Sequence, residues 1–341
     1  MNYRQLGKSG LIVTDLCLGT MIFGENTPRA TREEDAIKII HKYMEAGGNF
    51  IDTANVYAQG RSEEIVGRAI KGRRRKVILA TKVRFPMGSD PNESGLSRYH
   101  IYNSVEDSLT RMGVDNIDLL YLHGWDPLTP IEETMRALDD LVKTGKIRYI
   151  GVSNFKAWQL MKALSVSELT SYVRFVAAQY QYSLVVRDIE REFVDLCLSE
   201  GVGITPWGPL GGGFLSGKYK RDEKPQKPEE GRIATSDSTV EEAWERRSIE
   251  RNWRIMETIK GIIDNHPGVT ASQISLAWLL AKPAVSSIII GIRTMEQLED
   301  NLKASDLKLK QEEIQMLDNV SALTEEYPYR FIEFYTRRQY E

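Results

Sequence analysis

The chain has 341 residues, room for two domains of about 150 residues or for one large barrel, a fold that runs from roughly 250 residues to over 400. Hydrophobic residues make up 41% and charged residues 27%, which excludes a disordered chain and suits a soluble globular one. The 45 basic and 48 acidic residues leave a net charge of −3, which gives no support to a broad nucleic-acid surface.

Along the chain, residues 2–6 and 11–14, separated by Gly7 to Gly10, predict a small β-hairpin. Eight candidate strands follow at 16–20, 49–54, 77–83, 117–123, 149–154, 175–182, 203–208 and 287–292. Most are continuous apolar runs rather than strict alternations, as parallel strands read when helices cover both faces. The segments between them carry helical signals. Residues 35–47 place apolar side chains at 36, 37, 39, 40, 43 and 44 and stop at Gly47 and Gly48. Residues 62–72 open on Ser and two acids, 100–113 end on Gly113, and 130–145 run from Pro and acids to Lys, Thr and Gly. Further helices fit 187–200, 240–265, 270–282, 294–304 and 310–322.

Alternating strands and helices in eight units predict an α/β protein, a (β/α)8 TIM barrel with an N-terminal β-hairpin, formed by residues 1–341 as one domain. The first strand-to-helix turn, LGTMIFG, lacks the Gly fingerprint of an open dinucleotide-binding sheet. A Gly-rich stretch ending in Gly217 and Lys218 resembles a P-loop, but Tyr219 stands where Ser or Thr is required. The irregular segment 211–238 after the seventh strand is too long for an ordinary connection and reads as a functional flap. Residues 323–341 form a C-terminal tail. Cys17 and Cys197 cannot build a disulfide framework and read as buried apolar residues in a reducing compartment. No signal core opens the chain, and Ile274 to Ile292 is too interrupted to span a bilayer. The expectation is a cytoplasmic protein with neither membrane nor nucleic-acid partner.

In such a barrel the chemistry sits at the C-terminal ends of the strands. There the sequence places Asp52, with Tyr57 in the next loop, then Lys82, and then His123. Singly, each has a plain structural reading: a turn acid, a rim aromatic, a snorkelling amine, a satisfied imidazole. Together they bring an acid, a phenol, an amine and an imidazole from three adjacent strands into one bowl. A phenol titrates near ~10, too high for acid–base work at neutral pH, and a nearby ammonium lowers it. Lys82 can supply that ammonium, Asp52 can hold it, and His123 can hydrogen-bond a substrate oxygen. The set suits protonation of an oxygen that gains negative charge, as in carbonyl reduction, and the hydride must come from a cofactor. Thiolate-ligated zinc is disfavoured by four His and two Cys, so no metal is expected.

Here the chain resembles the aldo-keto reductase superfamily over about residues 3–322, through GTM (19–21), FIDTANVY (50–57), ATK (80–82), DLLYLH (118–123), IGVSN (150–154), AAQYQYS (177–183), PWGPLGGGFLSGKY (206–219) and GIRTMEQLEDN (291–301). It looks most like the branch of bacterial reductases and potassium-channel β-subunit-like proteins. The resemblance implies a catalytic tetrad of Asp52, Tyr57, Lys82 and His123, with Tyr57 as general acid, and NADPH bound across the barrel mouth. It implies cofactor contacts from Gly19, Thr20, Met21 and Asp52. Ser153, Asn154 and Gln179 would hold the nicotinamide carboxamide, and Trp207 would stack on the ring. Gly208, Pro209, Leu210, Gly212 and Lys218 would cover the pyrophosphate. Gly291 would also contact the cofactor, and Arg293 would lie near the 2′-phosphate, with Gln297, Asp300 and Asn301 at the adenine edge. Independently, Thr294 opens a helix whose free N–H groups could bind phosphate, and Arg293 adds a planar fork, so NADPH is favoured with NADH use possible. One departure is Ala58, where relatives often have Gly; Gly60 and the following helix start are kept, so the loop is expected to shift little.

Candidate substrate-pocket walls are Phe23, Tyr57, Phe85, His123 and Trp125, with 84–100 as a rim and the aromatic tail 326–335 as either a wall or a segment packed under the barrel or against a second subunit. The expected partner is a small-molecule carbonyl compound; a homo-oligomer is possible. The alternatives are a cofactor-binding regulatory subunit with little turnover, an NAD(P)-dependent alcohol or sugar dehydrogenase, and a metal-dependent hydrolase on the same barrel.

Overall fold

The computed structural model describes residues 1–227, 230–235, 238, 240 and 242–337. Strands β1 (Tyr3–Gln5) and β2 (Ile12–Thr14) form the expected hairpin, with Tyr3 opposite Thr14. It closes the floor of the barrel: Leu6 and Val13 are buried in one cluster with Cys17, Phe50, Leu119 and Tyr121.

Eight parallel strands follow: β3 (Leu16–Gly19), β4 (Phe50–Asp52), β5 (Ile78–Val83), β6 (Ile117–Leu122), β7 (Ile147–Ser153), β8 (Phe175–Gln179), β9 (Gly203–Ile204) and β10 (Ile288–Gly291). Each pairs with its sequence neighbour, and β10 returns to β3 with Ile288 beside Leu16 and Gly291 beside Gly19. The remaining gap is closed by backbone hydrogen bonds from Ile204 to Ala284, Ser286 to Ile204 and Ile289 to Pro206, at 2.8, 2.9 and 2.9 Å. The architecture is therefore the α/β (β/α)8 barrel. Three strands are markedly shorter than the apolar runs suggested: β4 spans only Phe50–Asp52, β8 stops at Gln179, and beyond β9 a bridge joins Gln181 to Trp207.

Helices α1 (Glu33–Glu45), α2 (Arg61–Ile70), α3 (Arg98–Met112), α4 (Ile131–Lys143), α5 (Ala157–Thr170) and α6 (Phe193–Glu200) pack outside the strands. On α1 the apolar stripe Ala36, Ile39, Ile40 and Tyr43 is buried, with acids in the first turn. The buried Tyr43 hydroxyl donates within reach of the carbonyls of Leu16 (2.7 Å) and Phe50 (2.9 Å), tying α1 to β3 and β4. Helix α5 was not among the predicted elements. Its apolar side chains point in all directions, with Trp158 and Leu169 exposed, so no clean stripe marks it.

In the second half come α7 (Arg232–Thr235), α8 (Trp244–Arg247), α9 (Glu250–Ile263), α10 (Ala271–Leu280), α11 (Met295–Leu302), α12 (Gln311–Val320) and α13 (Tyr329–Arg337). The predicted helix 240–265 is thus two helices, because Ile249 is extended between α8 and α9. Residues 228, 229, 236 and 237 of the predicted flap, 241 of that helix and 338–341 of the tail lie outside the described residues. Both cysteines are buried free thiols. Among the described residues no helix is long and apolar enough to cross a membrane.

Helices α2 and α3 cross at Gly67, where a Cβ would lie 2.3 Å from the Met112 carbonyl oxygen. Gly67→Ala therefore forces the helices apart. The expected cost is about 1–3 kcal/mol, read as a lower unfolding midpoint in urea, despite alanine's better helix propensity.

Candidate active site

The site is built at the C-terminal ends of β4, β5 and β6. After Asp52 the chain makes a tight turn, Tyr57–Gly60, in which Ala58 (φ 49°) and Gln59 (φ 55°) are both left-handed. That conformation costs an L-residue about 1–2 kcal/mol, a strain that glycine at position 58 would not carry. Helix α2 begins immediately afterwards and is anchored twice. The Ser62 hydroxyl lies 2.8 Å from that of Thr20 and 3.0 Å from that of Thr53. The buried Glu63 carboxylate accepts from Thr81 Oγ1 (2.5 Å) and Arg111 Nε (2.7 Å). These bonds fix the turn that carries Tyr57 against β3, β4, β5 and α3.

Alternation along β5 sends Ala80 and Lys82 inward. Lys82 is 0% exposed, and its ammonium has three donors. They go to Asp52 Oδ2 at 2.5 Å, the Thr53 carbonyl at 2.8 Å and the Tyr57 hydroxyl at 3.2 Å. The other Asp52 oxygen accepts from Gln179 Nε2 at 2.9 Å. Every polar atom of the buried pair thus has a partner, which such a pair needs to offset its desolvation. Burial pushes the Lys82 pKa down, but Asp52 and Tyr57 outweigh it and hold it above the ordinary lysine value, so the amine is an ammonium.

The phenol departs from expectation. Burial raises the Tyr57 pKa, Lys82 opposes this without overcoming it, and the net shift is upward rather than downward. Tyr57 is therefore a neutral phenol at neutral pH, held beside a fixed positive charge. His123 follows β6, with its backbone N–H bonded to the Val83 carbonyl at 2.9 Å. Its ring meets Tyr57 edge-on with centroids 5.8 Å apart, and Phe85 at 4.6 Å. Burial, then Lys82, then Arg84 hold its pKa well below the usual histidine value, so the imidazole is neutral. Its buried Nδ1 has no protein partner among the described residues.

These groups open into a cavity of about 590 Å3. Gly19, Thr20 and Met21 line it after β3, with Asp52, Tyr57 and His123 beside them. Ser153, Asn154 and Gln179 line it from β7 and β8, and Trp207, Gly208, Pro209 and Leu210 from beyond β9. Gly212, Lys218, Gly291, Arg293, Gln297, Asp300 and Asn301 complete the set expected from the sequence. The helix end at α11 is less open than expected. The Gln297 amide N–H is already capped by Thr294 (3.4 Å), and the Gln297 side chain accepts from the Arg293 N–H (2.9 Å). An anion here would meet the Arg293 side chain rather than a row of free amides.

The structure also brings in residues not anticipated: Arg29, Arg232 and Glu242. Arg232 pairs with the buried Glu242 carboxylate. Burial, then Arg29 and Arg293, lower the Lys218 pKa; burial, then Arg232, lower that of Arg29. One wall of the cavity therefore concentrates cations that repel one another. No motif marks Arg29, Arg232 or Glu242: Arg29 lies in the loop after β3, while Arg232, which opens α7, and Glu242, just before α8, belong to the long segment after β9, whose position the strands do not dictate.

Among the expected substrate-pocket walls, Phe85 packs against the His123 ring and Trp125 meets Phe155 at 5.2 Å, but neither lines this cavity. Phe23 is a correction. It is fully buried in the hydrophobic core beneath the loop after β3 and does not line the cavity. The described part of the C-terminal tail, with its aromatic stretch 326–335, is not a cavity wall either. It forms α13, whose Tyr329 hydroxyl bonds to Glu192 at 2.7 Å on the outside of the barrel. Among the described residues no cluster of three or more His, Cys, Asp or Glu could hold a metal ion.

A closed parallel barrel with a buried, fully bonded lysine, a neutral phenol and a neutral imidazole at its mouth is the architecture of a TIM-barrel enzyme. The chain belongs to the aldo/keto reductase family, whose model matches residues 15–322. It is 37% identical to an uncharacterized oxidoreductase of Bacillus subtilis over 94% of this chain and 96% of that one. It is 36% identical to a probable voltage-gated potassium channel subunit beta of Arabidopsis thaliana, covering 90% and 92%, and 35% identical to the norsolorinic acid reductase of Emericella nidulans, covering 95% and 82%.

Proposed function

We propose that the protein reduces an aldehyde or ketone to the alcohol with NADPH, in a reaction that is reversible. The observation that carries this is the use of the Lys82 ammonium: one proton faces Asp52, one the Thr53 carbonyl, and the third the Tyr57 phenol beside a neutral His123. Tyr57 donates its proton to the carbonyl oxygen. Lys82 stabilises the phenolate that remains, and Asp52 keeps Lys82 charged and in place. His123, neutral, offers an N–H to the same oxygen and adds no proton of its own.

The cavity fits a dinucleotide phosphate. Arg29 Nε is buried with no protein partner, and among the described residues no carboxylate lies within ion-pair distance of Lys218 or Arg293. Arg29, Lys218 and Arg293 would hold the phosphates, and Ser153, Asn154, Gln179 and Trp207 the nicotinamide end. The segment 211–238 would cover the cofactor as part of a single-domain barrel. When bound, the cofactor supplies the hydride that no side chain can. The buried free thiols suit a cytoplasmic setting.

Titration of tryptophan fluorescence, including that of Trp207, tests the cofactor. NADPH is expected to bind markedly more tightly than NADH, and Arg293→Ala to narrow the difference by about tenfold or more, the worth of a charge-assisted contact. Equal affinity for both nucleotides would remove the preference for the phosphate; binding of neither would remove the reading altogether.

A further inference from the structure

Arg84 follows β5 directly, two residues beyond Lys82, and its backbone is unusual: φ is 152°, in the region that favours glycine. A side chain kept in such a conformation beside a reactive site points to a function for that side chain. Arg84 is held from two sides. Its carbonyl accepts from the Gly95 N–H at 2.8 Å, closing the loop after β5, and its Nε donates to the Trp125 carbonyl at 3.3 Å. The guanidinium lies over the Phe85 ring at 5.2 Å, and Phe85 is the ring packed edge-on against His123. Gly124, next to His123, leaves room for both side chains: a Cβ there would be 3.9 Å from Phe85 and 4.0 Å from Arg84.

The two terminal amino groups of this half-buried guanidinium have no hydrogen-bond or ion-pair partner among the described residues. The nearby acid does not take them. Asp126 spends its oxygens on the N–H groups of Leu96 (2.8 Å) and Leu128 (3.0 Å) and on the Thr129 hydroxyl (2.6 Å). The two cations felt by His123 are Lys82 and Arg84. Lys82 is ion-paired with Asp52; Arg84 makes no ion pair among the described residues, and the acid that feels its charge, Asp126, bonds elsewhere. A geometrically fixed fork with two donor groups free of protein partners among the described residues therefore stands beside His123, and such a fork recognises a carboxylate.

We propose that Arg84 is a substrate-selecting residue that binds a carboxylate on the carbonyl compound, so that aldehyde or keto acids are the preferred substrates. The proposal rests on the carbonyl-reductase reading of the same site. Phe85 and Trp125 beside the fork suit a planar or ring-bearing body between the two functional groups.

The test compares kcat/KM for 4-formylbenzoate and for its uncharged methyl ester, in the wild type, Arg84→Gln and Arg84→Lys. The wild type is expected to prefer the acid. That preference should fall by about tenfold or more in Arg84→Gln, recover in part in Arg84→Lys, and weaken with added KCl. No preference in the wild type, or equal losses on acid and ester in Arg84→Gln, would overturn the proposal. If neither aldehyde is reduced, the reductase reading fails, and binding decides the anion site alone. Benzoate, followed by tryptophan fluorescence, must then bind the wild type and not Arg84→Gln, with benzamide as the neutral control; otherwise the site is refuted.

Discussion

Tyr57→Phe should lower kcat for carbonyl reduction by about 10²–10⁴-fold, the usual worth of a positioned acid, while leaving NADPH affinity essentially as it was. The substitution removes one oxygen and keeps the ring that packs edge-on against His123. It also leaves one Lys82 proton without its acceptor, while the bonds to Asp52 and Thr53 remain. The loss should thus fall on turnover rather than on folding or cofactor binding. The pH profile gives a second handle. Reduction needs the protonated phenol, and burial holds the Tyr57 pKa above its ordinary value of about 10. Its acid form is then intact across the neutral range, and reduction should decline only in strongly alkaline solution. His123, held well below its usual pKa, should add no inflection near neutrality. Steady-state rates across pH check both statements. A Tyr57→Phe enzyme with an undiminished rate would remove the phenol from the chemistry.

Most of this geometry could be read from the chain because the barrel ties position to sequence. A buried parallel strand is a continuous apolar run, and the polar residue that ends it faces the mouth. Asp52 and Lys82 were legible for that reason, and Tyr57 and His123 followed from the same registers. What could not be read depends on packing rather than on strand ends. The helix Ala157–Thr170 hides its period because Trp158, Met161 and Leu169 turn outward. Phe23 has the composition of a pocket wall, but its loop folds inward and buries it. The direction of the Tyr57 shift is a contest between desolvation and a single ammonium, and only the degree of burial decides it. Arg29 comes from the loop after β3, and Arg232 and Glu242 from the long segment after β9, neither of which any periodicity constrains. Arg84 is visible as a residue, but its bonds to Trp125 and Gly95 are not.

Lys82→Met separates the structural part of the site from its chemical part. Lys82 and Asp52 are both essentially inaccessible to water, and their closest atoms are 2.5 Å apart. Methionine fills a similar volume but strands the Asp52 carboxylate in the barrel, with Gln179 as its remaining donor. Breaking a buried pair in this way costs about 3–5 kcal/mol, so the urea midpoint should drop sharply. The double variant Asp52→Asn/Lys82→Met removes both charges at once and should regain most of that stability, since a buried pair replaced by neutral groups is often close to neutral. Its turnover should stay as low as that of Lys82→Met, because nothing is left to stabilise the Tyr57 phenolate. If the double variant is as unstable as the single one, the lost stability belongs to packing and not to an orphaned charge. If either variant keeps its rate, the ammonium is an element of the fold alone, and the reaction must draw its proton control from elsewhere.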